Sequence, residues 1–168
     1  CLEQPDLKAV FHVRMTAPRK WQILSNQPEV ERSEEGDLAT VTFAPPPPLS
    51  TYLTSFAAGP YRYQERTWTA PDGSHSAQLR AFARASMFEH LDEEILELTA
   101  QGMDFFHQNF GYPYPWGKYD SIFVPEYNLG AMENPGLVTF TENYIFRSRA
   151  TRAQHAGRAN TILHEMSH

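Results

Sequence analysis

The chain has 168 residues, 41% of them hydrophobic and 13% aromatic, enough apolar surface for a packed core and too much for general disorder. Fourteen Lys and Arg stand against twenty Asp and Glu, a net charge of −6. That balance argues against nucleic acid or an anionic membrane as the main partner.

A single cysteine, Cys1, rules out an internal disulfide and points to a reducing, cytoplasmic setting. No signal-peptide pattern and no membrane-length apolar run is visible; the expectation of no membrane partner rests on the acidic balance. The sequence opens mid-pattern at Cys1-Leu2-Glu3-Gln4-Pro5 without an initiator methionine, and both ends read as cut from a longer polypeptide.

The first sixty residues read as all-β. Ala9, Phe11, Val13 and Met15 alternate with Val10, His12 and Arg14, the period of a half-buried strand. Trp21 to Ser25 is a second short strand. Val30 to Ser33 and Leu38 to Phe43 flank Glu34-Glu35-Gly36-Asp37, a hairpin signal with glycine at the turn. Pro45 to Pro48 form a stiff connector to a strand at Thr51 to Ala57. They lack the basic neighbour that polyproline ligands carry.

Gly59-Pro60 is the candidate domain boundary. Beyond it, Tyr61 to Thr69 and Ala77 to Ala83 read as strands joined across Pro71-Asp72-Gly73. A helix is predicted over Glu89 to Phe110, with Leu91, Ile95, Leu98, Gly102 and Phe105 as its apolar stripe. Its acidic first turns (Asp92, Glu93, Glu94, Glu97) read as a solvated face, and Gly111 ends it. Tyr112 to Gly117 is a rigid aromatic loop expected to pack over that helix. Ile122 to Val124 and Leu137 to Thr141 are strand-like.

Two stretches carry chemistry. His164-Glu165-Met166-Ser167-His168 reads H-E-x-x-H at the end of a predicted helix, with Ala153, Ala156, Ala159, Ile162, Leu163 and Met166 at helical spacing and Thr151 or Ser148 as cap. On a helix, residues four apart lie roughly 40° apart around the axis. His164 and His168 can therefore converge on one zinc ion, leaving Glu165 beside it as a proton acceptor. The bland alternative is a helix end with two surface histidines. Tetrahedral zinc in a hydrolase wants three protein ligands, and the chain stops at the second.

Gly130-Ala131-Met132-Glu133-Asn134 has meaning on the exposed edge of a sheet. Small residues there admit a peptide as an added strand, and Glu133 offers one fixed carboxylate for a free N-terminal ammonium. Taken alone, the stretch is also compatible with a glycine turn followed by a surface glutamate.

Together, the two motifs resemble the zinc aminopeptidases of the aminopeptidase N type, a family that includes leukotriene A4 hydrolase. Gln4-Pro5-Asp6-Leu7-Lys8-Ala9, Tyr114-Pro115-Trp116-Gly117-Lys118-Tyr119-Asp120 and Asn134-Pro135-Gly136-Leu137 look like that family too, its actinobacterial-like branch in particular. The resemblance implies an α+β chain. Residues 1–60 would be the later part of an N-terminal β domain, and 61–168 the first part of a thermolysin-like catalytic domain.

By the same carry-over, His164 and His168 are zinc ligands and Glu165 is the general base. Glu133 binds the substrate amine, while Gly130, Ala131, Met132 and Asn134 hold the peptide. The substrates implied are peptides with a free N-terminus. The third zinc ligand (a glutamate), a transition-state tyrosine and a further amine-binding residue are expected in the remainder of the parent polypeptide.

Overall fold

The computed structural model describes residues 4–168; Cys1, the lone cysteine of the sequence, lies outside them. The fold is α+β. In chain order the strands are β1 (Lys8–Ala9), β2 (Arg14–Pro18), β3 (Gln22–Ser25), β4 (Glu29–Glu35), β5 (Leu38–Phe43), β6 (Leu49–Ser50), β7 (Phe56–Gly59), β8 (Tyr61–Thr69) and β9 (Ser76–Arg84). Helix α1 (Glu94–Phe110) follows, then β10 (Lys118–Val124), β11 (Ala131–Met132), β12 (Leu137–Thr141) and helix α2 (Arg152–Ser167).

Residues 4–59 form small antiparallel sheets. Strands β2, β5 and β4 pair in that order, and Gly36, at φ 59°, turns β4 into β5 as the glycine predicted. Ala17, Ile23, Ala39, Val41 and Phe43 make a local core for this part.

The second half is built on a five-stranded sheet, ordered β11-β12-β10-β9-β8. The three central strands run parallel, and each edge strand is antiparallel to its neighbour. Along β10 the side chains alternate between faces. Tyr119 and Phe123 join the core that includes Ile95 and Met103 of α1 and Ile162 of α2, while Ile122 packs with Leu24 of β3 on the opposite face.

Helix α1 ends at Gly111 in the left-handed conformation, and α2 begins at a capping box in which Thr151 and Gln154 satisfy each other's backbone N–H. Gly102 of α1 lies under α2. A Cβ there would stand 2.7 Å from Leu163 Cδ2 and 2.9 Å from Met166 Sδ. No helix among the described residues is long and apolar enough to cross a membrane.

Several expectations are corrected. The alternation over residues 9–15 is not one strand: only Arg14 onward pairs in a three-stranded sheet, and Lys8–Ala9 pairs instead with Leu49–Ser50. Thr51 to Ala57 opens as a 3-10 turn, with β7 starting at Phe56.

Helix α1 starts at Glu94, because residues 88–90 form a separate 3-10 turn. Its buried face holds Leu96, Thr99, Ala100 and Met103 with Ile95 and Gly102, whereas Phe105 is 58% exposed. The acidic run is not a purely solvated face. Asp92 and Glu94 together grip the guanidinium of Arg158, whose side chain is fully buried on α2. On α2 itself the buried positions are Arg158, Ile162 and Glu165, while Ala153 and Ala156 face solvent.

Candidate active site

The last turns of α2 place the two kinds of functional side chain at different depths. His164 and His168 are exposed at its C-terminal end, and Glu165 is buried. The Nε2 atoms of the two histidines are 3.3 Å apart, with ring planes at 84°. Two nitrogens at about 2.0–2.1 Å from one tetrahedral ion stand roughly 3.3–3.4 Å from each other. The pair therefore has the span of two neighbouring zinc ligands, and neutral imidazole is the right donor. No His, Cys, Asp or Glu among the described residues completes a group of three around a metal position.

Glu133 follows directly on β11, the edge strand of the five-stranded sheet. Ala131 and Met132 pair with Phe140 and Thr139 on one side only, which leaves the other side of the strand free of a sheet partner. The Thr141 N–H donates to the Gly130 carbonyl, tying the start of the motif to β12. Asn134 is buried and donates to Thr139 Oγ1.

Glu133, Glu165 and His168 line one cleft of about 400 Å³. Asn134 and Gly136 form one side of it and Leu49, Ser50, Tyr52 and Leu53 another, with Trp116 and Tyr119 among the remaining lining. The aromatic loop thus serves the cleft as well as the core: Tyr114 packs on the core and, with Trp116, lines the cavity. Gly130, Ala131, Met132 and His164 do not line this cavity; they lie along the sheet edge and on α2.

Burial pushes the Glu165 carboxyl up from its ordinary value. The negative charge of Glu133 adds to the effect, and His164 and His168 partly offset it. Tyr127, in the loop before Gly130, is raised by burial and then by the same two carboxylates. The two glutamates are therefore within electrostatic reach of each other.

Sequence reasoning missed the residues that hold the two walls together. The Asn26 side-chain amide donates to the Leu53 carbonyl and to the Pro135 carbonyl, both at 2.9 Å, and its Oδ1 accepts from Ser55 N–H. Lys118 Nζ, buried, donates to Ser25 O, Gly136 O and Asp120 Oδ2 at 2.9, 2.6 and 2.8 Å. Arg80 closes the network with two bonds to Asp120, whose side chain is fully buried. The available signal was polar residues alternating with apolar ones in a central strand, Lys118-Tyr119-Asp120, where both faces are covered. Asn26 carries no signal.

The α+β chain thus sets a paired-histidine helix against a sheet edge that bears a carboxylate. Residues 1–53 match the Peptidase M1 N-terminal domain, and residues 94–168 match the Peptidase family M1 domain. The chain belongs to peptidase family M1.

It is 45% identical over 167 residues to aminopeptidase N of Streptomyces lividans, covering 99% of this chain and 19% of that protein. It is also 33% identical over 169 residues to aminopeptidase 2 of Candida albicans (99% of this chain, 18% of that protein) and 31% over 170 residues to aminopeptidase M1 of Arabidopsis thaliana (100% and 19%). The chain spans about a fifth of the length of these curated relatives.

Proposed function

We propose that this chain is part of a zinc-dependent aminopeptidase that releases N-terminal amino acids from peptides by attack of water on the first peptide bond. The convergence of Glu133, Glu165 and His168 on one cleft carries the reading. The names of the relatives support it. In the parent protein, His164 and His168 hold the metal together with a third ligand from elsewhere in the polypeptide. Zinc, when bound, polarises the scissile carbonyl and acidifies the attacking water.

Glu165 takes the proton from that water and returns it to the leaving amine. Its place in the cleft beside His168 is suited to both halves of the exchange. The unpaired side of Gly130 to Met132 receives the substrate as an added strand. Glu133 holds the substrate's ammonium, and Asn134, tied to Thr139, keeps that loop in place. On this reading residues 1–60 are part of an N-terminal β domain and 61–168 the first part of a thermolysin-like catalytic domain, in a cytoplasmic enzyme.

In the full-length protein, Glu165→Gln retains zinc and loses turnover by at least about a hundredfold, in line with removal of a general base. Glu133→Ala erodes the preference for free over acetylated N-termini. An endopeptidase of thermolysin type would cleave blocked peptides as readily as free ones, and that result would replace the aminopeptidase reading. The isolated 168-residue chain, with two histidines and no third ligand among its described residues, is proposed to be catalytically silent. Tight one-to-one zinc and turnover of an aminoacyl anilide by that chain would overturn this.

A further inference from the structure

We propose that Tyr119 is a positioning residue for Glu165: its phenol donates a hydrogen bond that holds the Glu165 carboxylate in its working orientation toward the cleft. The inference rests on the reading of Glu165 as the general base.

Tyr119 is a central-strand residue whose alternation sends it toward α2, while its neighbours Lys118 and Asp120 turn the opposite way into the network around Gly136. Its ring is 3% exposed, packed in the core with Ile162 and Met166 and tilted against Tyr114 at 5.8 Å between centroids. Glu165 lies on α2 between Ile162 and Met166, on the same buried face. Both Tyr119 and Glu165 line the cleft.

The Tyr119 hydroxyl is buried and has no hydrogen-bond partner among the described residues. A buried tyrosine hydroxyl usually finds a partner. If space-filling alone mattered at this position, phenylalanine would serve without a desolvated polar atom. The ring is pinned on several sides, whereas the glutamate side chain turns about its own torsions, so the carboxylate is the group that moves to make the bond. Burial, with the charge of Glu165 nearby, pushes the phenol far above its usual value. It therefore keeps its proton and acts as a donor.

The test is Tyr119→Phe in the full-length, zinc-loaded protein, alone and combined with Glu165→Gln. The expected single variant has unchanged zinc content and a melting temperature within about 4 °C of wild type, because phenylalanine fills the same space and only one hydrogen bond is lost. Its KM stays within about twofold while kcat falls about tenfold, the effect of one lost hydrogen bond in the transition state. In the Glu165→Gln background the same change costs nothing further, because Tyr119 acts only through Glu165.

A kcat within about twofold of wild type for Tyr119→Phe would overturn the proposal, as would an undiminished loss in the Glu165→Gln background. An independent check is the Tyr119 Oη to Glu165 carboxylate distance in a structure of the full-length, zinc-loaded protein. About 3.2 Å or less supports the bond, and more than about 4 Å overturns it. Full activity of Glu165→Gln would instead remove the general-base reading itself, a separate outcome.

Discussion

The carbonyl oxygen of Asn26 stands 2.1 Å from the point a Cβ on Gly136 would occupy. Gly136 is also at φ 73°, so two independent features require glycine there. This is the place where the N-terminal sheets press against the turn that follows the Glu133 loop. Gly136→Ala in the full-length protein is expected to lower stability by about 2–4 kcal/mol. Denaturant midpoints read this directly, and a midpoint equal to wild type would show that the two backbones are not held in contact.

Gly102 does for the helices what Gly136 does for the loops. Its missing side chain leaves room for Leu163 and Met166, on either side of His164 and Glu165. Gly102→Ala gains up to about 1 kcal/mol of helix propensity, set against an overpacking cost of about 1–3 kcal/mol. Gly102→Val adds the larger clash with less of that gain. The valine variant is therefore expected to displace α2 and weaken zinc binding in the full-length protein, measured by competition with a chelator, more than the alanine variant does.

Lys118 fastens the end of β3 to the Gly136 wall of the cleft through one ammonium. Burial lowers its pKa and the attraction of Asp120 opposes that shift. Lys118→Met leaves two carbonyls and part of a buried carboxylate short of a donor. About 3 kcal/mol of lost stability is expected, with Arg80 still bound to Asp120 to limit the damage. If the loss proves smaller than about 1 kcal/mol, the range of an exposed pair, the ammonium is not what fastens β3 to the Gly136 turn.

The Asp72 turn makes a pH prediction. Bonds from the Ser74 hydroxyl and backbone, followed by His107 of α1, hold the Asp72 carboxyl well below the usual carboxylate range. A carboxylate depressed in the folded state stabilises it above the unfolded value, and that stability is lost as pH falls through the folded value. Wild type should therefore exceed Asp72→Asn in melting temperature at pH 6, and the gap should narrow as the pH is taken below 4. A gap constant with pH would assign the effect to turn geometry alone.

Much of the strand layout was legible because it depends on neighbours in sequence. The Gly36 hairpin, the pairing of β8 with β9 across Pro71-Asp72-Gly73, the stop at Gly111 and the cap at Thr151 each follow from local backbone preferences. Alternation misled where the partner was distant. Residues 9–15 have a strand's period, yet Lys8–Ala9 and Arg14–Pro18 pair with different partners and cannot form one strand. The acidic turns around Asp92 misled for the same reason, since Arg158 reaches them from α2.

The amino-acid order alone established the family and marked His164, Glu165, His168 and Glu133 as the residues to watch, because their spacing is a property of one helix and one edge strand. Tertiary structure decided that Glu133, Glu165 and His168 share a cavity, that Glu165 is buried while both histidines are exposed, and that Asn26 joins the walls while Lys118 fastens β3 to one of them. Those facts depend on desolvation and on bonds between residues far apart in the chain. A buried lysine and a surface lysine are the same letter until the fold closes around one of them.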